Sequence, residues 1–286
     1  MANCIAYFGL NQPLTTQFVS YLQSLLAGNW GADPIGGLLV LPTIQSAFPA
    51  TLELVLTSLL IMILIGIPLG VVAATHSGRW QDHVVRVVYL SGWATPTYLG
   101  ALVLAILVAP AVGLPTNGEF TGNVPFPRWT HLSVLDALLA GDLGATGDAI
   151  AHLILPATAL AFLNMGIATR MTRSAMLEVL PLDYVKTARM KGLSEGWVIY
   201  KHALRNSLIT TTTVLGVTAG GLLSGTVVIE TIFQWPGIGA YAFNAVTHSN
   251  FAGTIAVSIV FAIGVVVANL VADVMYGVLD PRVEWR

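Results

Sequence analysis

Phosphate-binding motifs are the first candidates for chemistry in this chain. A Walker A loop contains Gly-Lys-Ser or Gly-Lys-Thr, because backbone amides and the lysine together hold nucleotide phosphates. None of the three lysines follows a glycine; they are Lys186, Lys191 and Lys201. The run 237–242 matches the dinucleotide pattern Gly-x-Gly-x-x-Ala, but it lacks the preceding strand that the pattern requires. We therefore predict that the chain does not hydrolyse ATP, and we interpret 237–242 as a turn.

A membrane-embedded serine protease is the enzyme hypothesis to weigh. The Leu-Leu-Ser-Gly run around Ser224 resembles a rhomboid-type Gly-x-Ser-Gly motif without its first glycine, and His152 or His248 could be the base. A nucleophile needs its base within hydrogen-bond reach, and no spacing places either histidine there. Glu53, His152 and Asp273 lie near the ends of apolar runs, where we interpret them as caps or interfacial groups. The sequence therefore predicts a protein without enzymatic activity.

Composition places the chain in a membrane. Hydrophobic residues make up 55% of its 286 residues and charged residues only 9%, whereas soluble domains average about 25% charged residues. The single cysteine, Cys4, excludes a disulfide scaffold. The net charge of −2 provides no basic field that would attract nucleic acid. The sequence therefore predicts an all-α polytopic membrane protein with membrane lipid, and no nucleic acid, as a partner.

Five apolar runs are long enough to cross a bilayer, which takes about 20 residues of helix. We predict helices because they satisfy their own backbone hydrogen bonds in lipid, and because no run alternates like a barrel strand. The transmembrane domain is predicted over 50–279, followed by a cytoplasmic tail, 280–286. Glycine pairs at 66/70, 216/220 and 221/225 indicate close helix packing. The predicted spans are residues 50–74, 89–112, 150–171, 207–229 and 252–279.

Basic residues indicate the orientation. Eleven of the twelve Lys and Arg residues fall on one side of the predicted bundle, and only Arg128 falls on the other. Since Lys and Arg concentrate in cytoplasmic loops, we expect the 172–206 loop and the C-terminus in the cytoplasm. Residues 1–49 are then an extracytoplasmic segment, although they carry no Lys, no Arg and no signal-peptide pattern. We favour a further span upstream of residue 1; unaided insertion is the alternative.

The 172–206 loop is the longest polar segment predicted to be cytoplasmic. Asp183 can cap a short helix over 184–191 that ends at Gly192. One face of this helix carries an aromatic, a small and a basic residue: Tyr184, Ala188 and Lys191. A small residue between two anchors would let another surface approach closely. The alternative is an amphipathic helix that lies on lipid headgroups, and periodicity alone does not separate the two.

This loop resembles the "EAA" loop of ABC-importer permeases, and most closely that of the dipeptide and oligopeptide permeases. The similar segments are 183–194 and 201–206, with Lys186-Thr187-Ala188 where the broad family reads Glu-Ala-Ala. The peptide branch tolerates that change. Since these permeases usually have six spans, the resemblance implies that the first one precedes residue 9. Further similar blocks, in family order, are residues 9–14, 51–54, 113–115, 230–239 and 280–282.

The resemblance implies a coupling helix that docks into an ATP-hydrolysing subunit and moves as a lever. The residues carried over to this role are Asp183, Tyr184, Val185, Lys186, Thr187, Ala188, Arg189, Lys191, Gly192 and Leu193. The implied partners are a second, paralogous permease subunit, two ABC ATPase subunits and an extracytoplasmic substrate-binding protein. ATP and magnesium would be held by the ATPase subunits, with no cofactor or metal in this chain.

The expected function is the import of di- or oligopeptides across the inner membrane. Oligosaccharides and nickel complexes are alternative substrates within the resembling family. An ATP-independent secondary transporter is the alternative outside it. No individual substrate-binding residue is predicted.

Overall fold

The described part of the chain is helical. The computed structural model describes residues 11–33 and 37–279, without the side chains of residues 275, 276, 278 and 279. Within these ranges the only strand-like pairing is an isolated antiparallel bridge between Ala32 and Leu39. The predicted tail, 280–286, lies outside the described residues. The helices are α1 (Leu14–Leu26), α2 (Val40–Thr75), α3 (Trp80–Ala94), α4 (Thr97–Val112), α5 (Ser133–Leu139), α6 (Leu143–Val179), α7 (Asp183–Met190), α8 (Glu195–Ile232), α9 (Ile238–Thr247) and α10 (Phe251–Leu279).

Four of these helices, α2, α6, α8 and α10, are long and apolar enough to cross a membrane. Each contains one predicted span but extends beyond it; α6, for example, covers 143–179 rather than 150–171. An apolar run marks only the part of a helix that can lie in lipid, whereas its hydrogen bonding continues through polar residues. Helix α2 begins at Val40, so its first ten residues belong to the predicted N-terminal segment, 1–49, and the helix continues without interruption into the predicted span.

The predicted span 89–112 is not a single helix. Helices α3 and α4 meet at 110°, with Thr95 and Pro96 between them. Thr95 is extended (φ −83°, ψ 126°) because the ring of a following proline disfavours the helical conformation. With α3 and α4 counted together as one broken span, the described residues contain up to five spans. The prediction of an all-α polytopic membrane protein is confirmed.

Small residues let the spans pack closely around α6. Gly70 of α2 faces α6, and a Cβ atom at position 70 would lie 2.6 Å from Cβ of Thr172. Gly216 of α8 packs in the same way against α10, where an added Cβ atom would lie even closer to Cβ of Ala272. The predicted pairs at 66/70 and 216/220 thus pack helices within this chain, whereas a Cβ at Gly221 would meet no atom within 4 Å.

A buried carboxylate joins α2, α8 and α9 at the end of the bundle far from α7. Glu230 is fully buried, and its Oε1 accepts a hydrogen bond from Thr51 Oγ1 at 2.8 Å. Its Oε2 accepts from the Ala240 amide at 2.9 Å, while Thr51 Oγ1 accepts from the Ile238 amide at 2.8 Å. Both amides belong to the first turn of α9, where helical N–H groups have no partner within the helix. Two of the blocks that resemble permeases, 51–54 and 230–239, are therefore in direct contact.

Glu53 caps α5 in the same region. Its Oε2 accepts hydrogen bonds from the Ser133 amide at 2.8 Å and hydroxyl at 2.7 Å, and its Oε1 accepts from the Val134 amide at 2.9 Å. The interpretation of Glu53 as a cap is confirmed. His152 Nδ1 lies 2.9 Å from the carbonyl oxygen of Asp148 in its own helix, so it too has a local contact.

Arg128, the basic residue predicted to lie apart from the others, is surrounded by buried acidic side chains. Its Nη2 donates to Glu119 Oε2 at 2.6 Å, and its Nε lies 3.6 Å from Asp136 Oδ2. Asp136 Oδ1 also accepts from the amide and hydroxyl of Thr130, at 2.9 and 2.7 Å. One guanidinium therefore serves two buried carboxylates, and Glu53 adds a further negative charge. Burial outweighs the attraction of Arg128 and raises the pKa of Glu119.

Replacement of Thr51 tests the contact between α2, α8 and α9. We expect Thr51→Val to lower the free energy of unfolding by about 2 kcal/mol, because a buried amide and a buried carboxylate each lose a partner. The measurement is the thermal midpoint of the detergent-solubilised chain. Thr43→Val is the matched control, since the Thr43 hydroxyl bonds to the carbonyl of Leu39 at the start of the same helix. Equal losses from both variants would contradict this role of Thr51.

Protonation of Glu119 should stabilise the loop that Arg128 holds. Because burial raises the folded pKa of Glu119 above its ordinary value of 4.5, this stabilisation is complete below 4.5 and is lost as the pH rises through the folded pKa. Glu119→Gln mimics the protonated form. We expect the wild-type thermal midpoint, relative to that of Glu119→Gln, to fall over the pH range above 4.5 as Glu119 loses its proton. A constant difference over this range would show that Glu119 does not titrate there.

Candidate functional site

Helix α7 covers the residues that the sequence predicts for the coupling helix. It begins at Asp183, one residue earlier than predicted, after extended Leu182, and no side chain caps it. The prediction that Asp183 is the cap is therefore wrong. The Asp183 carboxylate lies in the first turn, where a negative charge favours the helix dipole, and accepts from Lys186 Nζ at 3.0 Å. Gly192 ends the turn in the left-handed conformation, with φ of +77°, as predicted.

Two side chains attach α7 to the rest of the chain. Val185 and Ala188 are 0% and 5% exposed, and they pack with Val198 of α8 and Val179 of α6. Because Ala188 already contacts its own chain, the predicted face of Tyr184, Ala188 and Lys191 is not available to a partner as one surface. The small side chain of Ala188 allows α7 to approach α8 rather than another protein.

The remaining residues of α7 face outward. Met190 is 79% exposed, and it lies almost opposite the buried pair on the helix. The sequence argument missed Met190, although the spacing of Val185 and Ala188 could have identified the outward face. We call the exposed set the α7 surface: Asp183, Tyr184, Lys186, Thr187, Arg189, Met190 and Lys191. Gly192 and Leu193 are exposed beside it. The α7 surface thus combines charged groups with one prominent apolar side chain.

Polar contacts connect α7 to the first turns of α8. Arg189 Nη2 donates to Glu195 Oε1 at 2.7 Å, and its Nε donates to Oε2 at 3.1 Å. This hydrogen bond raises the pKa of Arg189, which stays charged. Asn206 Nδ2 donates to the Tyr184 hydroxyl at 2.7 Å. Since residues 195–206 are part of the continuous helix α8, α7 is attached to a rigid element and not to a flexible loop.

Another buried carboxylate holds α3 against α6 at the end of the bundle that carries α7. Asp82 is fully buried, and its two oxygens accept from Arg173 Nε and Nη2 at 2.8 and 2.9 Å. Arg86 donates to the same oxygens at 3.1 and 2.7 Å, and the Gly78 amide donates at 3.0 Å. A buried carboxylate with this many donors keeps its charge and its position. The end of the bundle that carries α7 is therefore firmly connected.

The described residues do not assemble the alternative chemical sites. They contain no group of three or more His, Cys, Asp or Glu side chains that could hold a metal ion. Ser224 lies exposed on α8. His152 and His248 contact the carbonyl oxygens of Asp148 and Asn244 in their own helices, at 2.9 and 2.8 Å. These histidine contacts are local and do not involve Ser224.

Comparison with protein families identifies the class of protein. Residues 66–285 match the family described as the binding-protein-dependent transport system inner membrane component. This range includes α7, the last ten residues of α2 and the remaining spanning helices.

Curated relatives match over nearly the whole chain. A probable D,D-dipeptide transport system permease protein, DdpB of Escherichia coli K12, is 41% identical over 96% of this chain and 82% of its own length. The di/tripeptide permease protein DppB of Pseudomonas aeruginosa is 39% identical over 99% of this chain and 84% of its own. The oligopeptide permease protein AppB of Bacillus subtilis is 35% identical over 98% of this chain and 84% of its own length.

Solved structures share the fold at low sequence identity. The inward-facing MetNI methionine ABC transporter covers 81% of this chain and 93% of its own, with a TM-score of 0.59 and 15% identity. The match to an amino acid ABC transporter covers 90% of this chain and 97% of the transporter chain, with a TM-score of 0.56 and 13% identity. The chain therefore belongs to the family of inner membrane components of binding-protein-dependent transport systems, as a multi-pass membrane subunit with the fold of ABC transporter permeases.

Proposed function

We propose that this chain is the membrane subunit of an ATP-driven importer of di- or oligopeptides. The observation that carries the proposal is 41% identity over 96% of the chain to a relative named for D,D-dipeptide transport. Other relatives are named for di/tripeptides and oligopeptides, which favours peptides over oligosaccharides and nickel complexes. The family name, which ties transport to a binding protein, disfavours an autonomous secondary transporter.

The α7 surface is proposed as the contact for the ATPase subunit. It is exposed while its inner face is packed against α8 and α6, so a partner can reach it without disturbing the fold. Met190 offers an apolar anchor, and Lys186, Arg189 and Lys191 offer positive charge around it. This combination of a central apolar side chain and a charged rim is typical of protein–protein contacts.

Helix α8 is proposed to transmit movement from α7 to the opposite end of the membrane. It covers 38 residues, which corresponds to about 57 Å of helix. At the beginning of α8, Val198 and Glu195 hold α7. Near the end of α8, Glu230 holds α9 and α2. A displacement of α7 by an ATPase subunit would therefore move an element that reaches the contacts of Glu230.

The proposed assembly contains a second permease subunit, two ABC ATPase subunits and an extracytoplasmic substrate-binding protein. ATP and magnesium are bound by the ATPase subunits, and this chain contributes no cofactor. The C-terminus and α7 lie in the cytoplasm, because this orientation leaves only Arg128 among twelve basic residues on the outside.

Substitution of Met190 tests both the partner and the substrate. We expect Met190→Glu to remove ATPase subunits from a mild-detergent pull-down of the tagged chain, because a buried, unpaired charge would replace the apolar anchor. Uptake of a radiolabelled dipeptide should fall to the level of cells without the chain. Met190→Leu, which keeps an apolar side chain of similar volume, is the control and should retain both. The amount of each variant in the membrane is measured by immunoblot.

Each alternative predicts a different result in the same experiment. Normal uptake by Met190→Glu would exclude the α7 surface as the ATPase contact. Uptake that persists after deletion of every co-purifying ATPase would exclude the ATP-driven importer. Competition of uptake by oligosaccharide or nickel, and not by unlabelled dipeptides, would exclude peptide as the substrate.

Gly192 allows a test of how firmly α7 must be held. Its φ of +77° strains a β-branched residue by about 1–3 kcal/mol. A Cβ atom there would meet no atom within 4 Å, so a substitution acts through the backbone alone. We expect Gly192→Val to reduce dipeptide uptake several-fold at an unchanged amount in the membrane. Gly192→Asn, which tolerates this conformation, should transport normally; equal effects of the two variants would contradict the prediction.

A further inference from the structure

Helix α1 carries an apolar stripe that no described part of the chain covers. Five large apolar side chains fall within about 140° of the helix circumference. They are Leu14, Phe18, Val19, Leu22 and Leu26, with exposed fractions of 81%, 61%, 51%, 40% and 89%. The opposite side carries Thr16, Gln17, Ser20, Gln23 and Ser24. No residue of α1 is buried, so its apolar stripe is not part of the core of this chain.

The length of α1 excludes a membrane span. Its 13 residues extend over about 20 Å, whereas the hydrocarbon core of a bilayer is about 30 Å thick. Gly28, with φ of +84°, ends the helix and turns the chain away from its axis. An apolar stripe on so short a helix can be buried in lipid only if the helix lies along the membrane surface.

The segment after α1 places it at the level where two spanning helices begin. The Val40 amide, the first of α2, donates to the Gly31 carbonyl at 3.0 Å, and Ala32 pairs with Leu39. On the other side Gly31 packs against Ala252, the second residue of α10, leaving only 3.0 Å for an added Cβ. Only four residues separate Leu26 from Gly31. The C-terminal end of α1 therefore lies close to the boundary between membrane and water.

The absence of charge around α1 identifies the kind of surface it fits. Residues 11–32 contain no Lys, Arg, Asp or Glu. Contact with such a helix gains nothing from anionic headgroups, so burial of apolar side chains must supply the attraction. Trp30, half-buried beside the first turns of α2, adds an aromatic ring of the kind enriched at this boundary.

We infer that α1 lies in the lipid–water interface, with its apolar stripe among the acyl chains of electrically neutral lipids. The polar side then faces water, and the pairing of Gly31 with α2 and α10 keeps the helix parallel to the membrane. In this position α1 lies beside the bundle, at the membrane surface opposite α7. This inference concerns a lipid contact and does not depend on the substrate or the ATPase partner.

Nitroxide labels on the two sides of α1 test this arrangement. The full chain with Cys4→Ser, which removes its single cysteine, is reconstituted in phosphatidylcholine vesicles. Labels are attached at Phe18→Cys and Leu22→Cys on the stripe, and at Ser20→Cys and Gln23→Cys as matched polar-side controls. Paramagnetic resonance then compares collisions with oxygen, which concentrates in lipid, and with a water-soluble nickel chelate. We expect the oxygen-to-nickel ratio to be several-fold higher at positions 18 and 22 than at 20 and 23.

Three results would overturn the inference. A ratio at 18 and 22 that equals the ratio at 20 and 23, with frequent nickel collisions, would place the stripe in water. Immobile labels at 18 and 22 that collide with neither reagent would place the stripe against another protein surface. A ratio that rises when anionic lipid is added and falls again in high salt would show that charged headgroups, not apolar burial, hold the helix.

Discussion

Helix ends inside an apolar bundle impose the main constraint on this fold. The first N–H groups of a helix have no partner within it, and lipid offers none, so the protein must supply acceptors. Glu53 and Glu230 do so for α5 and α9, two short helices at the end of the bundle far from α7. Each glutamate belongs to a spanning helix, and each bond therefore determines where a non-spanning segment lies. At the other end of the bundle a single carboxylate, that of Asp82, holds α3 to α6 by accepting hydrogen bonds from Arg173.

The buried acids also explain why charge is sparse yet essential. A carboxylate in an apolar environment is costly unless several donors surround it. Asp82 has two arginines, whereas Glu119 and Asp136 share Arg128. Arg128 is predicted to lie on the opposite side of the bundle from the other eleven basic residues, and two acidic side chains there need a positive partner. It is the counter-ion that permits two acids to be buried in the segment between α4 and α6.

Helix α8 gives the molecule its mechanical continuity. A long loop between α7 and the spans would absorb a displacement, but α8 begins at Glu195 and stays helical to Ile232, with a π-helical stretch over Val198–Leu204. Its first turns hold α7 through Val198 and the Glu195–Arg189 ion pair. In the proposed mechanism, movement at the cytoplasmic side therefore reaches the contacts of Glu230 through a single helix. Close packing of Gly216 against Ala272 also holds α8 directly against α10.

Apolar runs and composition predicted a helical membrane protein, but they did not predict the break between α3 and α4, the ends of the helices or the outward face of α7. Apolar runs report which residues can lie in lipid, so they missed the additional turns that extend α2, α6 and α8. The sequence placed Ala188 toward a partner, whereas the structure packs it against Val198, and Met190 faces outward instead. The sequence pattern of α7 shows which residues share a face of the helix. Which face packs against the protein depends on the neighbouring helix.

The sequence by itself determined the membrane class, the apolar runs that lie within the long helices and the location of the α7 segment, because these follow from local composition and backbone chemistry. Only the tertiary structure decided which acids are buried, since the donors to Glu230 come from Thr51 and from α9, elements far apart in the chain. It also decided that Val185 and Ala188 hold α7 while Met190 remains free. Contacts between distant segments depend on how helices pack, and no local pattern encodes that packing.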